Sequence, residues 1–228
     1  MDKAHEETLN WKPVPCPVPV TLRGRTVVLE PMTAQRHAEA LWRAARGHDE
    51  LWAWLADGPY ASEEALHAAV AEKQESAGAL FLAIVPEEVG AAAGYASFMR
   101  MDPANGVVEV GNILMTPALQ RTTAATEAMY LMARHVFEDL GYRRYEWKCN
   151  AKNAPSRRAA PRYGFSFEGI FRQHMVVKGR SRDTAWFSML DSEWPVRKAA
   201  FEAWLDPGNF DGEGRQRKSL AEIASARD

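Results

Sequence analysis

Apolar residues along the chain recur at two spacings, every second position and every third to fourth, and the order of the two spacings predicts the elements. Residues 21–30 (TLRGRTVVLE) combine a turn glycine with a β-branched run and predict a first strand, broken at Pro31. Thr33 stands where it can cap a helix whose Ala34, Ala38, Leu41, Trp42 and Ala45 share one face. Residues 49–55 predict a short aromatic-rich helix or turn, ended by Gly58-Pro59, and Ser62-Glu63-Glu64 opens a further helix with negative charge in its first turn. Residues 80–85 and 92–101 predict neighbouring strands of an antiparallel meander, joined through Pro86-Glu-Glu-Val-Gly90.

The chain is organised around residues 107–140. Val107, Val108, Val110, Ile113 and Leu114 suit a buried strand in which Glu109 is the lone charge. Ala125, Ala128, Met129, Met132, Val136 and Leu140 then follow helical spacing up to a stop at Gly141. Between strand and helix, residues 117–126 are small and polar, which lets a ligand approach the backbone and sets the positive end of the helix dipole beneath it. An anion is the expected guest.

Beyond this helix the pattern gives a strand over residues 145–149, a helix over 156–163 stopped by Gly164, and strands over 165–177 and 183–190 around Lys178-Gly179. Strands first, then alternating helix and strand, predict an α/β fold with a mixed sheet and helices on both faces. Residues 194–205 read as a helix packing Val196, Ala200, Phe201 and Trp204 on the body, and residues 206–228 as a polar, loose tail. Residues 1–19 hold Pro13, Pro15, Pro17 and Pro19 at alternate positions, an extended leader over the surface.

Composition narrows the function classes. With 228 residues, 46% of them hydrophobic and eight of them tryptophan, the chain can build one packed domain with tails. A formal charge of −2 gives no general pull toward nucleic acid or anionic lipid, and both are set aside as partners. Neither a signal peptide nor a run of about 18 uncharged apolar residues is visible, so the expected location is the cytoplasm. Cys16 and Cys149 form neither a disulfide framework nor a metal-ligand spacing and are expected to be free thiols, with no metal.

Two motifs carry a family resemblance. Leu114-Met115-x-x-x-x-Gln120-x-x-Thr123-x-Ala125 resembles the acyl-coenzyme A signature of the GNAT N-acetyltransferases, Gln/Arg-x-x-Gly-x-Gly/Ala. A second block, Tyr142-Arg-Arg-Tyr-Glu-Trp-Lys-Cys-Asn-Ala-Lys-Asn153-Ala-Pro-Ser156-Arg-Arg followed by Tyr163-Gly-Phe165-x-x-Glu168-Gly169, is similar to the branch that contains the ribosomal-protein N-terminal acetyltransferases. Together they cover roughly residues 20–190, and they occur in the family's order. The resemblance implies the GNAT fold, a mostly antiparallel mixed sheet splayed at its central strand and flanked by helices. It also implies acetyl-CoA as co-substrate and a primary amine as acceptor, either a small molecule or a protein N-terminus, with a monomer or homodimer expected. Residues 1–19 would then be the leader, 20–190 the acetyltransferase domain and 191–228 a helical extension with a polar tail. Thr123 stands where the signature has glycine, so a Cβ must fit a place of close approach and the loop is expected to shift.

Acetyl transfer to an amine needs an anion cradle, a base for the ammonium, oxyanion stabilisation and a proton for the thiolate. The resemblance assigns the cradle to Gln120, Arg121, Thr122, Thr123, Ala124, Ala125 and Thr126, and the thioester carbonyl to amides near Leu114 and Met115. Glu109, a carboxylate among β-branched neighbours, is the candidate base with a raised pKa, or else a charge that keeps the strand soluble. Gly111 is expected to mark the bulge that opens the coenzyme slot. Asn150 and Asn153 suit either the pantetheine amides or a helix cap, and Ser156 either protonates the thiolate or caps the helix. Arg158 could reach the coenzyme phosphates. In the family the helical pair before the meander walls the acceptor pocket, which makes Trp52, Trp54 and Tyr60 substrate candidates; simple packing under the loop is the other reading of the aromatics. Arg172, Arg180, Arg182 and Asp183 flank the last hairpin and either face the acceptor or pair to stabilise the hairpin. His174, alone on a strand, reads as structural. The non-enzymatic alternatives are an acyl-CoA-binding module without catalysis, or an interaction protein that keeps the fold.

Overall fold

The β-branched and aromatic runs become eight strands of one sheet, and the three- to four-residue spacings become helices on its two faces. A computed structural model describes residues 9–226. In chain order it contains β1 (Leu22–Arg23), β2 (Val27–Pro31), α1 (Ala34–Ala45), α2 (Glu63–Gln74), β3 (Ala79–Pro86), β4 (Gly94–Asp102), β5 (Val107–Met115), α3 (Thr123–Arg134), β6 (Arg144–Asn150), α4 (Ala154–Arg162), β7 (Ser166–Val177), β8 (Arg180–Leu190), α5 (Trp194–Leu205) and α6 (Leu220–Ser225). The sheet order is β1-β2-β3-β4-β5-β6-β8-β7. Every neighbouring pair is antiparallel except β5 and β6, which run parallel. The mixed, mostly antiparallel sheet expected from the sequence is thus found.

The alternation within each strand divides the core. Val108, Val110, Tyr145, Trp147, Phe187 and Met189 pack with α3 and α5, whereas Phe81, Ala83, Tyr95 and Leu114 pack with α1 and α2 on the other side. Nearly all of α3 from Ala124 to Ala133 is buried, which explains its short stretch without a charged face. Its one acidic residue, Glu127, is satisfied by the backbone amides of Arg25 (2.8 Å) and Thr26 (2.6 Å) and by the Thr26 hydroxyl, and so ties the helix to the β1–β2 turn.

The parallel pair is short. Val107 to Val110 face Arg144 to Trp147, and beyond them Gly111 to Met115 part from Lys148 to Asn150. Two register shifts between β4 and β5 bend the central strands, with left-handed backbone at Arg100 (φ 47°) and Asn112 (φ 50°). The bulge therefore falls on Asn112, one residue beyond the Gly111 expected to mark it. Gly111 is needed for closeness instead, because a Cβ there would lie 2.4 Å from Met99 Sδ.

Two boundaries differ from expectation. Helix α4 begins at Ala154, not Ser156, because Asn153 Oδ1 accepts the Ser156 N–H and caps the helix one turn earlier. The stretch read as a loose tail is ordered through residue 226: Ser219 and Glu222 form a capping box, and α6 buries Leu220 and Ile223 on the body. Residues 1–8 of the proline-rich leader lie outside the described residues; in the rest of the leader the Val14 N–H donates to the Pro103 carbonyl at 3.1 Å.

Candidate active site

Where β5 and β6 part, a cleft of about 990 Å³ passes through the sheet. Its lining includes Gln120, Arg121, Thr122, Ala125, Thr126, Asn153, Ser156 and Arg158 on one side and Glu109, Lys148, Asn150, His174 and Arg182 on the other, with Leu114 and Met115 of β5 along the gap.

The first side is built by the start of α3. Thr122 is its N-cap: the hydroxyl accepts the Ala125 N–H (3.1 Å) and donates to the Leu119 carbonyl (2.8 Å). The amides of Arg121, Thr123 and Ala124 donate to no acceptor among the described residues, and they stand at the positive end of a helix whose cap leaves them open. Left-handed backbone occurs at Arg121 (φ 61°), not at Thr123, which is the first helical residue. The Thr123 Cβ therefore sits in ordinary helical backbone. Thr123 and Ala124 are not among the cleft-lining side chains. Gln120 braces the turn by donating from Nε2 to the Met115 carbonyl at 2.9 Å, and Arg162 Nη2 donates to Thr126 Oγ1 at 3.1 Å.

Ser156 and its neighbours close this side. The Trp147 indole N–H donates to Ser156 Oγ at 2.9 Å, which occupies an acceptor position and leaves the hydroxyl hydrogen for another partner. Buried Cys149 lies beside it; burial pushes its thiol up, and the Ser156 hydroxyl works in the other direction. Asn150 Oδ1 accepts the Lys152 N–H at 2.9 Å, so this side chain shapes the turn after β6.

The opposite face of the sheet carries charge. Glu109 is only 5% exposed, with Lys148 Nζ at 3.1 Å and Arg100 Nε at 3.2 Å from its Oε2. Its pKa is raised, because burial outweighs the two cations that favour the carboxylate. Lys148 also meets Glu146 at 2.6 Å and lies 3.7 Å above the Trp186 ring. Further along, Arg144 joins Glu146 (2.7 Å) to Glu168 through paired bonds of 2.7 and 2.6 Å, which hold the Glu168 carboxyl at about 2.

A buried carboxylate of raised pKa, a through-sheet cleft and an anion-ready helix start are parts that acyl transfer requires, and comparison with known proteins agrees. Residues 26–166 match the acetyltransferase (GNAT) domain family. The chain belongs to the GNAT family. A crystal structure of a GCN5-related N-acetyltransferase from Brucella melitensis is 50% identical and superposes with a TM-score of 0.93 over 95% of this chain and 99% of that one. The uncharacterized N-acetyltransferase p20 of Bacillus licheniformis is 30% identical over 111 residues, 49% of this chain and 62% of the relative, so the match spans less than two thirds of that protein. An acetyltransferase from Salmonella typhimurium that modifies the N-terminal serine of ribosomal protein L7/L12 shares 20% identity at a TM-score of 0.64, a likeness of fold alone.

GNAT proteins use acetyl-CoA; in this chain the amides of Arg121, Thr123 and Ala124 are open to an anion, and Arg121, Thr122 and Ala125 of the same turn line the cleft that also reaches Glu109. Three substrate candidates lie elsewhere. Trp52 is buried edge-on against Tyr60, with centroids 5.0 Å apart, and the Tyr60 hydroxyl donates to Asp57 Oδ2 at 2.5 Å; neither side chain lines the cleft. Arg172 is exposed and also outside the lining. Leu51, Trp54 and Leu55 supply the wall instead. His174, read as structural from the sequence, lines the cleft with Nδ1 3.0 Å from Thr184 Oγ1. Lys148 was missed too, although the run Glu146-Trp-Lys148-Cys already alternates charge with apolar bulk and so places Lys148 and Glu146 on one face.

Proposed function

We propose that the protein transfers the acetyl group of acetyl-CoA to a primary amine by direct attack within a ternary complex. The observation that carries the reading is the cleft itself, which is lined by Arg121, Thr122 and Ala125 at the start of α3 and reaches Glu109 at the gap between β5 and β6. When bound there, acetyl-CoA supplies an activated acyl thioester. The amides of Arg121, Thr123 and Ala124 hold the pyrophosphate, and Arg158 lies at the same side for further phosphate contact. The unpaired edge of β5 from Gly111 to Met115 faces the gap and offers amides to the thioester carbonyl.

Glu109 takes the proton of the incoming ammonium. Its raised pKa suits this task, since a stronger base is a better proton acceptor while Lys148 and Arg100 keep it from staying protonated. The Ser156 hydroxyl, held by the Trp147 indole with its hydrogen free, gives a proton to the departing thiolate. The acceptor is an amine on a small molecule or a protein N-terminus; similarity to a ribosomal-protein acetyltransferase supports the second only at the level of fold.

Incubation with acetyl-CoA and a mixed panel of amines and N-terminal peptides, followed by free-thiol release, tests the reading. Transfer to a member of the panel is expected. Coenzyme binding by calorimetry without thiol release from any member would make the chain a binding module, and absence of binding would remove the coenzyme from the account.

A further inference from the structure

Among the described residues that line the cleft on the Glu109 face, Arg182 is the cation without a partner. Lys148 has Glu109 and Glu146, and Arg100 has Glu109. Among the described residues Arg182 has no hydrogen-bond or ion-pair partner, and its Nε is buried with no acceptor. It is half-buried, and burial works against its charge; Cys149 and Glu109 favour that charge through space, but neither is in contact to receive the guanidinium.

Three features show which side of the reaction this cation serves. Arg182 precedes Thr184 and Trp186 on β8 at two-residue intervals; Thr184 pairs with Asn150 and Trp186 with Lys148 of β6, which places Arg182 on the charged face of the sheet. The anionic part of acetyl-CoA is its nucleotide and pyrophosphate, and the start of α3, with exposed Arg121 and Arg158 nearby, stands on the other side of the cleft. The pantetheine and thioester are uncharged and need no guanidinium. The charge balance agrees, since Glu109, Glu146 and Glu168 face four cations, Arg100, Arg144, Lys148 and Arg182. Glu50, the other carboxylate in the lining, is exposed and turned to His48 at 3.2 Å.

We infer that the acceptor is an amine that also carries a carboxylate, and that the Arg182 guanidinium receives this carboxylate while Glu109 faces the amine. A single negative charge balances the surplus of one cation, and a carboxylate matches the planar fork of arginine in a way that a single-point cation would not. Leu51, Trp54 and Leu55 across the cleft offer apolar surface to the part of the acceptor between its two charged ends. The inference rests on the acetyltransferase reading and narrows it to amino-acid-like acceptors or chain termini with a carboxylate near the amine.

The test compares matched pairs, free amino acids and their carboxamides, as acceptors for the full chain with acetyl-CoA, by initial rates of thiol release. The parent protein is expected to favour the carboxylate member by about tenfold to a hundredfold in kcat/KM, mostly through KM, as a charge-assisted bond in a half-buried site would give. Arg182→Gln should collapse this ratio, and Arg182→Lys should restore part of it. The ratio is an internal control: damage to the fold lowers both members alike, and the differing basicity of the amines is unchanged between proteins. Equal use of both members by the parent, or an unaltered ratio in Arg182→Gln, overturns the inference and leaves the acetyltransferase reading intact. No transfer to any member overturns both.

Discussion

Replacing Glu109 with glutamine removes a proton acceptor while keeping its shape, and the surroundings of this side chain set how large the effect should be. A positioned general base is worth about 10²–10⁴ in rate. Lys148 and Arg100, at 3.1 and 3.2 Å, stabilise the carboxylate and limit its basicity, so the loss is expected toward the lower end, about 10²–10³ in kcat/KM, with coenzyme affinity nearly unchanged. The pH profile gives a second reading. The folded pKa lies above the ordinary 4.5, so activity of the parent should rise with pH through that folded value as Glu109 loses its proton, and the glutamine variant should lose this limb. Lys148→Met removes a group that lowers this pKa, and should move the limb to higher pH. Stability runs the other way. A raised folded pKa means that the fold favours the neutral acid, a contribution present below 4.5 and lost as pH rises through the folded value. Glutamine resembles that neutral acid, so the variant should melt no lower than the parent at pH 7. A variant with parental rate and parental pH profile would refute the base role and leave Glu109 as one member of a charge cluster.

Three further outcomes follow from other parts of the structure. Ala125→Glu sets a negative charge beside the open amides at the start of α3 and should weaken acetyl-CoA binding at least tenfold by calorimetry; unchanged affinity would move the coenzyme elsewhere. Asn153→Ala should cost about 1 kcal/mol as the loss of a helix cap, whereas Ser156→Ala leaves the Trp147 indole without its acceptor and should both destabilise by about 1–3 kcal/mol and slow thiol release; a Ser156→Ala protein that melts earlier yet turns over at the parental rate would leave the hydroxyl as a tether only. Glu168→Gln should lower the melting temperature at neutral pH, and the gap to the parent should close as pH falls from 4.5 toward about 2, since the Arg144 pair contributes only while Glu168 is ionised.

The fold was legible wherever burial on one side wrote a regular spacing into the chain. Strand β5, the helix after it and the order of strands before helices follow from such spacing. Positions set by backbone hydrogen bonding were less so: Asn153 and Ser156 both had the chemistry of a cap and Asn153 takes it, and the bulge sits at Asn112 beside Gly111, because only the register decides between such neighbours. The turn before α3 and the burial of Glu109 on β5 were readable because they are local in sequence. His174 and Lys148 come to the cleft only through pairing of β6, β7 and β8, and of the hairpin residues Arg172, Arg180, Arg182 and Asp183 only Arg182 lines it, because no local pattern tells which face of a hairpin looks into a gap between two other strands. The aromatics misled for the same reason. Trp52 and Trp54 are two residues apart in a 3₁₀ turn and its exit, where one is buried and the other faces the cleft.

The position of the cleft follows from connectivity. The pairs β3–β4, β4–β5 and β7–β8 are consecutive antiparallel strands, and a short turn ties one end of each pair together. Strands β5 and β6 run parallel, so the chain must cross between them through α3, and no turn joins Met115 to Asn150. Their carboxyl ends can part without breaking a turn, and they do so after Val110 and Trp147. The same crossover delivers the start of α3 to that end of the sheet, so the gap and the open amides arise from one topological choice. Side-chain alternation then gives the two faces different chemistry: Trp147 and Cys149 point toward the helices, while Lys148 and its partner Glu109 lie on the opposite face with Arg182. A coenzyme held at the helix start and an acceptor held by charge can therefore meet from opposite faces of one sheet, with the carboxylate of Glu109 at the passage between them.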